Sequence, residues 1–512
     1  MNFQNSDKFF SYLVSILILL LVTPILIESF GTSLLYVNEK PAFENEARVM
    51  FFLCSTLGQI VFSLLTKIQG GFLMLPLLEI SKQTRTISTI CNEEGQNGLK
   101  NTLACLFIAC LMSSLLGFVL YLTKTTKYLT KIPRNINDSV MITIGLFNIF
   151  ASFKKIAFLE DYSVNVALKA FSVLITFFGV LIFYITKNPF YIFYYLLSLI
   201  CLLNFAKFGW SIENLVKYKI FSCKMAEPLR LASIFEPIFS ESAEFDFQII
   251  RKNAKNILVI ASIPLLSQII SLFVYSRKFE ECFSIERELF NVSLANLLSA
   301  FSFFPTHFSC SGSIFFRLAG AKSKYHSLFS GISLVILYYT FHLILPFIPV
   351  FSVSFVLQFI GLTTLLTYSK TILNSSFIDK VQLVLICAVC IYAEMNMILV
   401  VITGVLINCA VNYLFSSQTI GSIDIKYQTI ENVTYVKIEG NLDFISIYKL
   451  LNGISNIKNN IVISLEECKY IDYTANIELE KFLGEFGFKV DFQGSCKNFN
   501  SGILLKHKQK SL

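Results

Sequence analysis

Charge is what this sequence has least of. Only 15% of its 512 residues are charged, against about a quarter in an ordinary soluble domain, while 54% are hydrophobic and the mean hydropathy is +0.64. Too little polar surface remains to cover a water-exposed globule of this size. Tryptophan occurs once, although phenylalanine numbers 52. Histidine is scarce at four residues, and no His-rich or Ser/His/Asp constellation is present, which argues against an enzyme. The GxxxxGK[ST] phosphate loop is missing, so nothing points to ATP-driven work. The thirteen cysteines show no metal-ligand spacing. Most of them (Cys54, Cys105, Cys110, Cys201, Cys409) lie in apolar runs, where a thiol serves as a small hydrophobe. Cys387 and Cys390 form a lone CxxC without a second pair. Cys91 and Cys223, read as loop residues, are the one conceivable disulfide. No metal and no cofactor is expected.

What the chain does have is apolar blocks of roughly 20 residues, about the length that crosses a bilayer core. Fourteen such segments run from residue 9 to residue 415, and two of them, 71–80 and 311–320, are too short to span alone. A polar linker at about 208–255 separates seven from seven, giving halves at about 1–207 and 256–416. Two halves that each contain an abbreviated third segment form the pattern of an inverted-repeat transporter. The first run continues past Pro24 to about Tyr36, longer than a signal peptide's, and reads as a retained helix.

Charge placement sets the topology. The net charge is +8, yet residues 421–512 hold 11 lysines and 11 acidic residues, so the whole excess lies in the apolar part. That is charge used for orientation in lipid, with no basic patch for nucleic acid on the tail. The stretch KTTKYLTKIPR at 124–134 has no acid, while NEKPAFENEAR at 38–48 is acidic. By the positive-inside rule both chain ends face the cytoplasm, in a plasma or organelle membrane. After residue 416 strands and short helices alternate: 433–440 (VTYVKIEG), 461–465 (IVISL) and 488–492 (FKVDF) read as strands. A small α/β domain is expected at 421–496, ahead of a polar tail at 497–512.

Two stretches carry a family resemblance. In the tail, YVKIEGNLDFISIYKLL leads to a central strand and then to Ile471-Asp472-Tyr473-Thr474 at the start of a helix. This resembles a STAS domain, with Thr474 at the phosphorylatable position of the D-S/T-S/T-G signature and Ala475 in place of its Gly. In the second stretch, ERELFNVSLANLLSAFSFFPTHFSCSGSIFFRLAG followed by Gly331, the residues Glu288, Leu289, Asn296, Pro305, Ser309, Ser311 and Ser313 fall on a motif. That motif resembles the tenth segment of the sulfate permease family (solute carrier group 26). Gly312 stands where the family commonly has Arg, a departure shared with a divergent fungal vacuolar-type branch. Ser267 and Gln268 occupy segment eight, where a carboxylate is usual.

The resemblance implies an α-helical polytopic membrane protein, a 7+7 inverted repeat of about 14 segments followed by a STAS-like domain. It further implies a homodimer with elevator-type alternating access and a substrate held between segments three and ten. Helices that begin in mid-membrane offer free N–H groups and a positive dipole end to an anion. Gly70 and Gly71 are expected to open one, and Ser309, Ser311, Gly312 and Ser313 after Pro305 the other, with His307 as a further polar contact. The competing reading of these small residues is close helix packing. Intramembrane carboxylates are costly and seldom idle. Glu28 is therefore a candidate substrate contact, and Glu79 and Glu394 are candidates for proton coupling. Asp472 and Thr474 are candidate regulatory residues, or simply a helix cap. The function expected is transport of a small anion (sulfate-like, bicarbonate, chloride or organic). The alternatives are transport of amino acids or another polar solute, and a non-transporting scaffold or sensor.

Overall fold

The protein is described here by a computed structural model covering residues 23–28, 35–37, 40–41, 43–70, 74–75, 80–94, 97–125, 133–156, 162–188, 190–206, 227–239, 246–279, 283–373, 377–393, 397–416, 423–430, 433–455, 457, 460–472, 474–479 and 490–493. Contacts divide the chain into two units. Met1–Thr126 and Gly145–Thr363 form the first, and Lys127–Ile144 and Thr364–Leu512 the second.

The first unit begins with a two-residue ribbon of β1 (Tyr36–Val37) and β2 (Lys40–Pro41), followed by α1 (Glu44–Leu65). Glu44 and Glu46 in the first turn of α1 complement its dipole. Next come β3 (Met74–Leu75), α2 (Ser81–Glu94), α3 (Gly98–Thr123), α4 (Arg134–Ile156), α5 (Tyr162–Thr186) and α6 (Phe190–Ala206). The short α7 (Ala232–Phe239) and α8 (Phe247–Lys252) follow, the latter capped by Asp246, whose side chain accepts from the N–H groups of Gln248 and Ile249. The run then continues through α9 (Ala254–Phe279), α10 (Ile285–Ser299), β4 (His307–Phe308), α11 (Cys310–Leu318), α12 (Lys324–Ile344) and α13 (Val350–Leu373).

The patterning of these helices is inverted relative to a soluble bundle. On α12 the exposed side chains include Ile332, Val335, Ile336, Tyr339 and Leu343, at helical spacing. On α5 they include Leu174, Phe177, Phe178, Leu181 and Ile185. Polar residues turn inward instead. Ser114 Oγ donates to the Ser293 carbonyl (2.8 Å), and Gln59 Nε2 donates to Ser63 Oγ (2.9 Å) and to the Ser327 carbonyl (3.2 Å). Large apolar faces outward with hydrogen bonds between helices inside are what lipid selects. Six helices among the described residues are long and apolar enough to cross a membrane. Three shorter apolar ones lie at Tyr191–Asn204, Ser354–Ser369 and Leu399–Val411. The expected first segment is described only at 23–28.

In the second unit, the start of α4 joins α14 (Phe377–Tyr392) and α15 (Met397–Ser416). A buried amide cluster ties them: Asn135 Nδ2 donates to Asn408 Oδ1 (2.6 Å) and Gln382 Oε1 (3.1 Å). The α/β domain follows with β5 (Ile423–Ile430), β6 (Val433–Leu442), α16 (Ser446–Ser455), β7 (Asn460–Ser464), β8 (Cys468–Ile471) and β9 (Val490–Gln493). The strand order is β5-β6-β7-β9, with β5 antiparallel to β6 and the β6–β7 and β7–β9 pairs parallel. Beyond a register shift at Gly440, β6 takes β8 as its partner. Gly440 has φ +105°, a backbone state that glycine adopts without strain. The core is aliphatic, built from Val436, Ile438, Leu450, Ile461, Ile463 and Ile471 among others.

One lesser expectation is corrected here. Cys91 is buried in α2, where Asn253 Nδ2 lies 3.9 Å from its Sγ, and is no loop residue; Cys223 falls outside the described residues. On α12, His326 is buried, with Nδ1 2.9 Å from Ser323 Oγ.

Candidate functional site in the helical unit

The first abbreviated segment meets the chain that leads into the second. β3 and β4 pair antiparallel, Met74 opposite Phe308 and Leu75 opposite His307. The pairing meets part of the hydrogen-bonding need of this non-helical chain, and neighbouring side chains meet more of it. Phe308 is fully buried and packs on Phe62 and Tyr275. One residue after β4, the chain turns into α11. Ser309 is its N-cap, the hydroxyl accepting from the Gly312 N–H (3.3 Å) and the carbonyl accepting from the Ser313 N–H (2.9 Å). Nine residues make a helix of about 14 Å, half a bilayer core. Its N-terminal dipole end begins one residue beyond β4 and so lies beside the β3–β4 pair. His307 and Ser309 are half-buried, and Ser313 is buried. The Ser311 side chain lies outside the described residues.

Neighbouring helices hold this turn. Gln268 of α9 accepts the Phe308 N–H on its Oε1. Asn296 of α10 accepts from the Thr306 N–H (2.7 Å) and the Thr306 hydroxyl (3.0 Å) on its Oδ1. Glu288, also on α10, is fully buried. Its carboxylate accepts from Thr66 Oγ1 (2.7 Å), the Lys67 N–H (2.9 Å) and Asn291 Nδ2 (3.2 Å), fixing the chain that leads from α1 toward β3.

Other candidates are placed elsewhere. Gly70 opens no half-helix: it sits in a turn before β3 with φ +69°, and a Cβ there would lie 1.8 Å from the Ala321 carbonyl oxygen, just past the C-terminal end of α11. Its neighbour Gln69 is held at that same end, its carbonyl accepting from the Tyr275 hydroxyl (2.9 Å) and Arg317 Nη1 (3.4 Å). Among the described residues, the next α-helix is α2, from Ser81. Glu28 is chelated by Arg48, Nε to Oε2 and Nη2 to Oε1 at 3.1 Å each, and Arg48 also meets Glu44 at 3.1 Å. Gly71, Glu79 and Glu394 lie outside the described residues. Among the described residues no cluster of three or more metal-ligating side chains occurs.

The sequence profile of the sulfate permease family matches residues 53–389, two thirds of the chain. The chain belongs to the sulfate permease family. No curated protein matches the sequence, so the remaining relationships are structural. The transmembrane domain of a cyanobacterium bicarbonate transporter, BicA, is similar at 13% identity and TM-score 0.52, covering 80% of this chain and 98% of that one. The overall structure of SLC26A9 is similar at 12% identity and TM-score 0.54, over 99% of this chain and 88% of that one. The murine Slc26a9 anion transporter in its inward-facing state is similar at 12% identity and TM-score 0.52, over 98% and 86%. At such identities these likenesses speak for the fold alone, which this sulfate permease family member shares with them.

In the second unit, Asp472 and Thr474 have separate duties. Asp472 Oδ1 accepts from the Ala475 N–H (2.7 Å), capping helical residues 474–479, and Oδ2 accepts from the Phe444 N–H (2.6 Å). Thr474 is buried, and its Oγ1 accepts the backbone N–H of Arg134 (2.8 Å), where α4 begins. Burial pushes the Asp472 carboxyl up to about 8, with the nearby Asp443 and Asp379 carboxylates adding to the rise, against the pull of the two N–H groups. A carboxyl raised in the folded state stabilises it fully below the ordinary carboxylate pKa. That contribution is lost as pH rises through about 8. The melting temperature of the full chain in detergent is therefore expected to fall between about pH 5 and pH 9. Asp472→Asn should flatten that slope; an unchanged slope would show that Asp472 stays ionised.

Proposed function

We propose that this chain is a secondary transporter that moves a small anion across the membrane by alternating access. The observation that carries the reading is the Ser309-capped start of α11, a helix dipole end set beside the β3–β4 pair. An anion there gains the free N–H groups of the first turn without requiring a fixed cation in lipid. The family membership supports transport, and the likeness to the bicarbonate transporter BicA and to the Slc26a9 anion transporter supports an anion as cargo. The C-terminal α/β domain is read as STAS-like, and the chain as an elevator-type homodimer with both ends in the cytoplasm. Thr474 and Asp472 would then link that domain to the start of α4. Proton coupling through Glu79 or Glu394 belongs to the same proposal.

Uptake by purified protein in liposomes tests the cargo. Saturable uptake of at least one of chloride, bicarbonate, sulfate or oxalate is expected, without ATP. Failure of every anion together with uptake of a cationic amino acid overturns the reading, and no uptake of any solute favours a scaffold. Within the anion reading, Ser309→Ala removes the cap that fixes the first turn of α11, worth about 1 kcal/mol of stability, and the loosened turn should raise KM for the anion several-fold. An unchanged KM would place the anion away from this turn.

A further inference from the structure

Two buried carboxamides flank His307, and both are built the same way. Backbone N–H groups can only donate, so the atom facing each must be the amide oxygen; the usual ambiguity of a carboxamide's orientation is removed. At Gln268 the Phe308 N–H occupies Oε1, and at Asn296 the Thr306 N–H and hydroxyl occupy Oδ1. Both side chains are essentially without solvent exposure. Gln268 Nε2 and Asn296 Nδ2 have no hydrogen-bond partner among the described residues. An unmet buried donor costs about 1–3 kcal/mol. Two such donors beside one short strand, next to the capped start of α11, are a cost that a ligand with acceptor atoms offsets.

Resting on the anion-transport reading, we propose that Gln268 is a specificity-determining residue whose Nε2 donates to the transported anion at the start of α11. Its oxygen is already committed to Phe308, so Gln268 has only N–H left to offer a ligand. A halide or oxyanion, all acceptor, is matched by such a group and by the helix N-terminus together. A cation or an ammonium group finds no acceptor on Gln268. The residue thus has two functions on two atoms: Oε1 positions β4, and Nε2 reads the sign of the substrate. The Asn296 amide, with the same division, is the second donor of the set.

Gln268→Glu separates the two functions. A glutamate oxygen can still accept the Phe308 N–H, so β4 stays held, while the donor is replaced by a charged acceptor. KM for chloride and for sulfate, both ionised from about pH 5 to pH 8, is measured in liposomes with protein on both sides equilibrated to the assay pH. Gln268→Glu should raise KM at least tenfold at about pH 8. KM should fall back toward the wild-type value at about pH 5, where protonation removes the charge and supplies an O–H donor. A wild-type KM at both pH values overturns the proposal, as does a raised KM that acidification leaves unchanged in protein that elutes and melts like wild type. Should that variant not fold, Asn296→Asp, which keeps the acceptor for Thr306 and removes the second donor, replaces it: a KM raised at about pH 8 and restored at about pH 5 supports the donor set, and an unaltered one removes it. If wild type moves neither ion nor any other anion, the transport reading fails first, an outcome distinct from failure of the Gln268 assignment.

Discussion

Gly70→Ala should prevent the helical unit from folding to a stable state, although it adds a single methyl group. The residue has φ +69°, where a Cβ costs an L-residue about 1–2 kcal/mol. The added carbon would also lie 1.8 Å from the Ala321 carbonyl oxygen, a backbone atom that cannot swing aside. Relief requires separating the turn at Gln69–Gly70 from the end of α11. That would break the Tyr275 and Arg317 hydrogen bonds to the Gln69 carbonyl. Against a total stability of about 5–15 kcal/mol, strain and lost contacts of several kcal/mol are decisive. Fluorescence-detected size exclusion and melting of the purified variant give the readout. Loss of the monodisperse peak is expected, and wild-type melting would show that the close approach is absent.

Arg48→Ala comes next in magnitude. The guanidinium holds Glu28 through two parallel contacts and Glu44 through a third, with side-chain exposure of 10% for Arg48 and 15% for Glu28. Removing the arginine takes the two-point ion pair from a nearly enclosed Glu28. Breaking a buried pair in this way costs about 3–5 kcal/mol, and the residual exposure of Glu28 puts this one at the low end. Replacing both partners with neutral groups of similar shape, Glu28→Gln with Arg48→Met, should recover most of the loss, since the penalty arises from the lost ion pair. The double variant also decides what Glu28 is for. If its role is the ion pair, the double variant transports with wild-type KM. If Glu28 contacts substrate, KM rises even where melting is restored.

Much of this architecture was legible from the one-dimensional pattern because lipid imposes simple rules. Blocks of about 20 apolar residues predict spanning helices, and the structure has such helices at Gly98–Thr123, Ala254–Ser276 and Lys324–Phe347. The strands at 433–440 and 461–465 were visible from alternation and from a short apolar run, and both lie in the sheet. The serine cluster after Pro305 was legible as a helix start because Ser is a strong N-cap. Gly70 was misread because a glycine before an apolar run looks the same whether it opens a helix or yields to a carbonyl from 251 residues away. Glu28 was singled out as an intramembrane carboxylate, and its arginine lay across the acidic loop, a pairing that charge counting does not reveal. Gln268 and Asn296 stand out in the sequence only through the family resemblance, as neutral amides in apolar runs. Their importance depends on which backbone N–H each meets, and only the three-dimensional structure supplies that.

The central claim is that an anion is held at the first turn of α11 against the β3–β4 pair. Anomalous diffraction from crystals of the full chain grown in bromide tests it most directly. The account predicts a bromide peak within hydrogen-bonding reach of the N–H groups of α11's first turn and of Gln268 Nε2. Bromide bound only at the Arg48 cluster, or no peak in the helical unit in protein that demonstrably transports the ion, would contradict it.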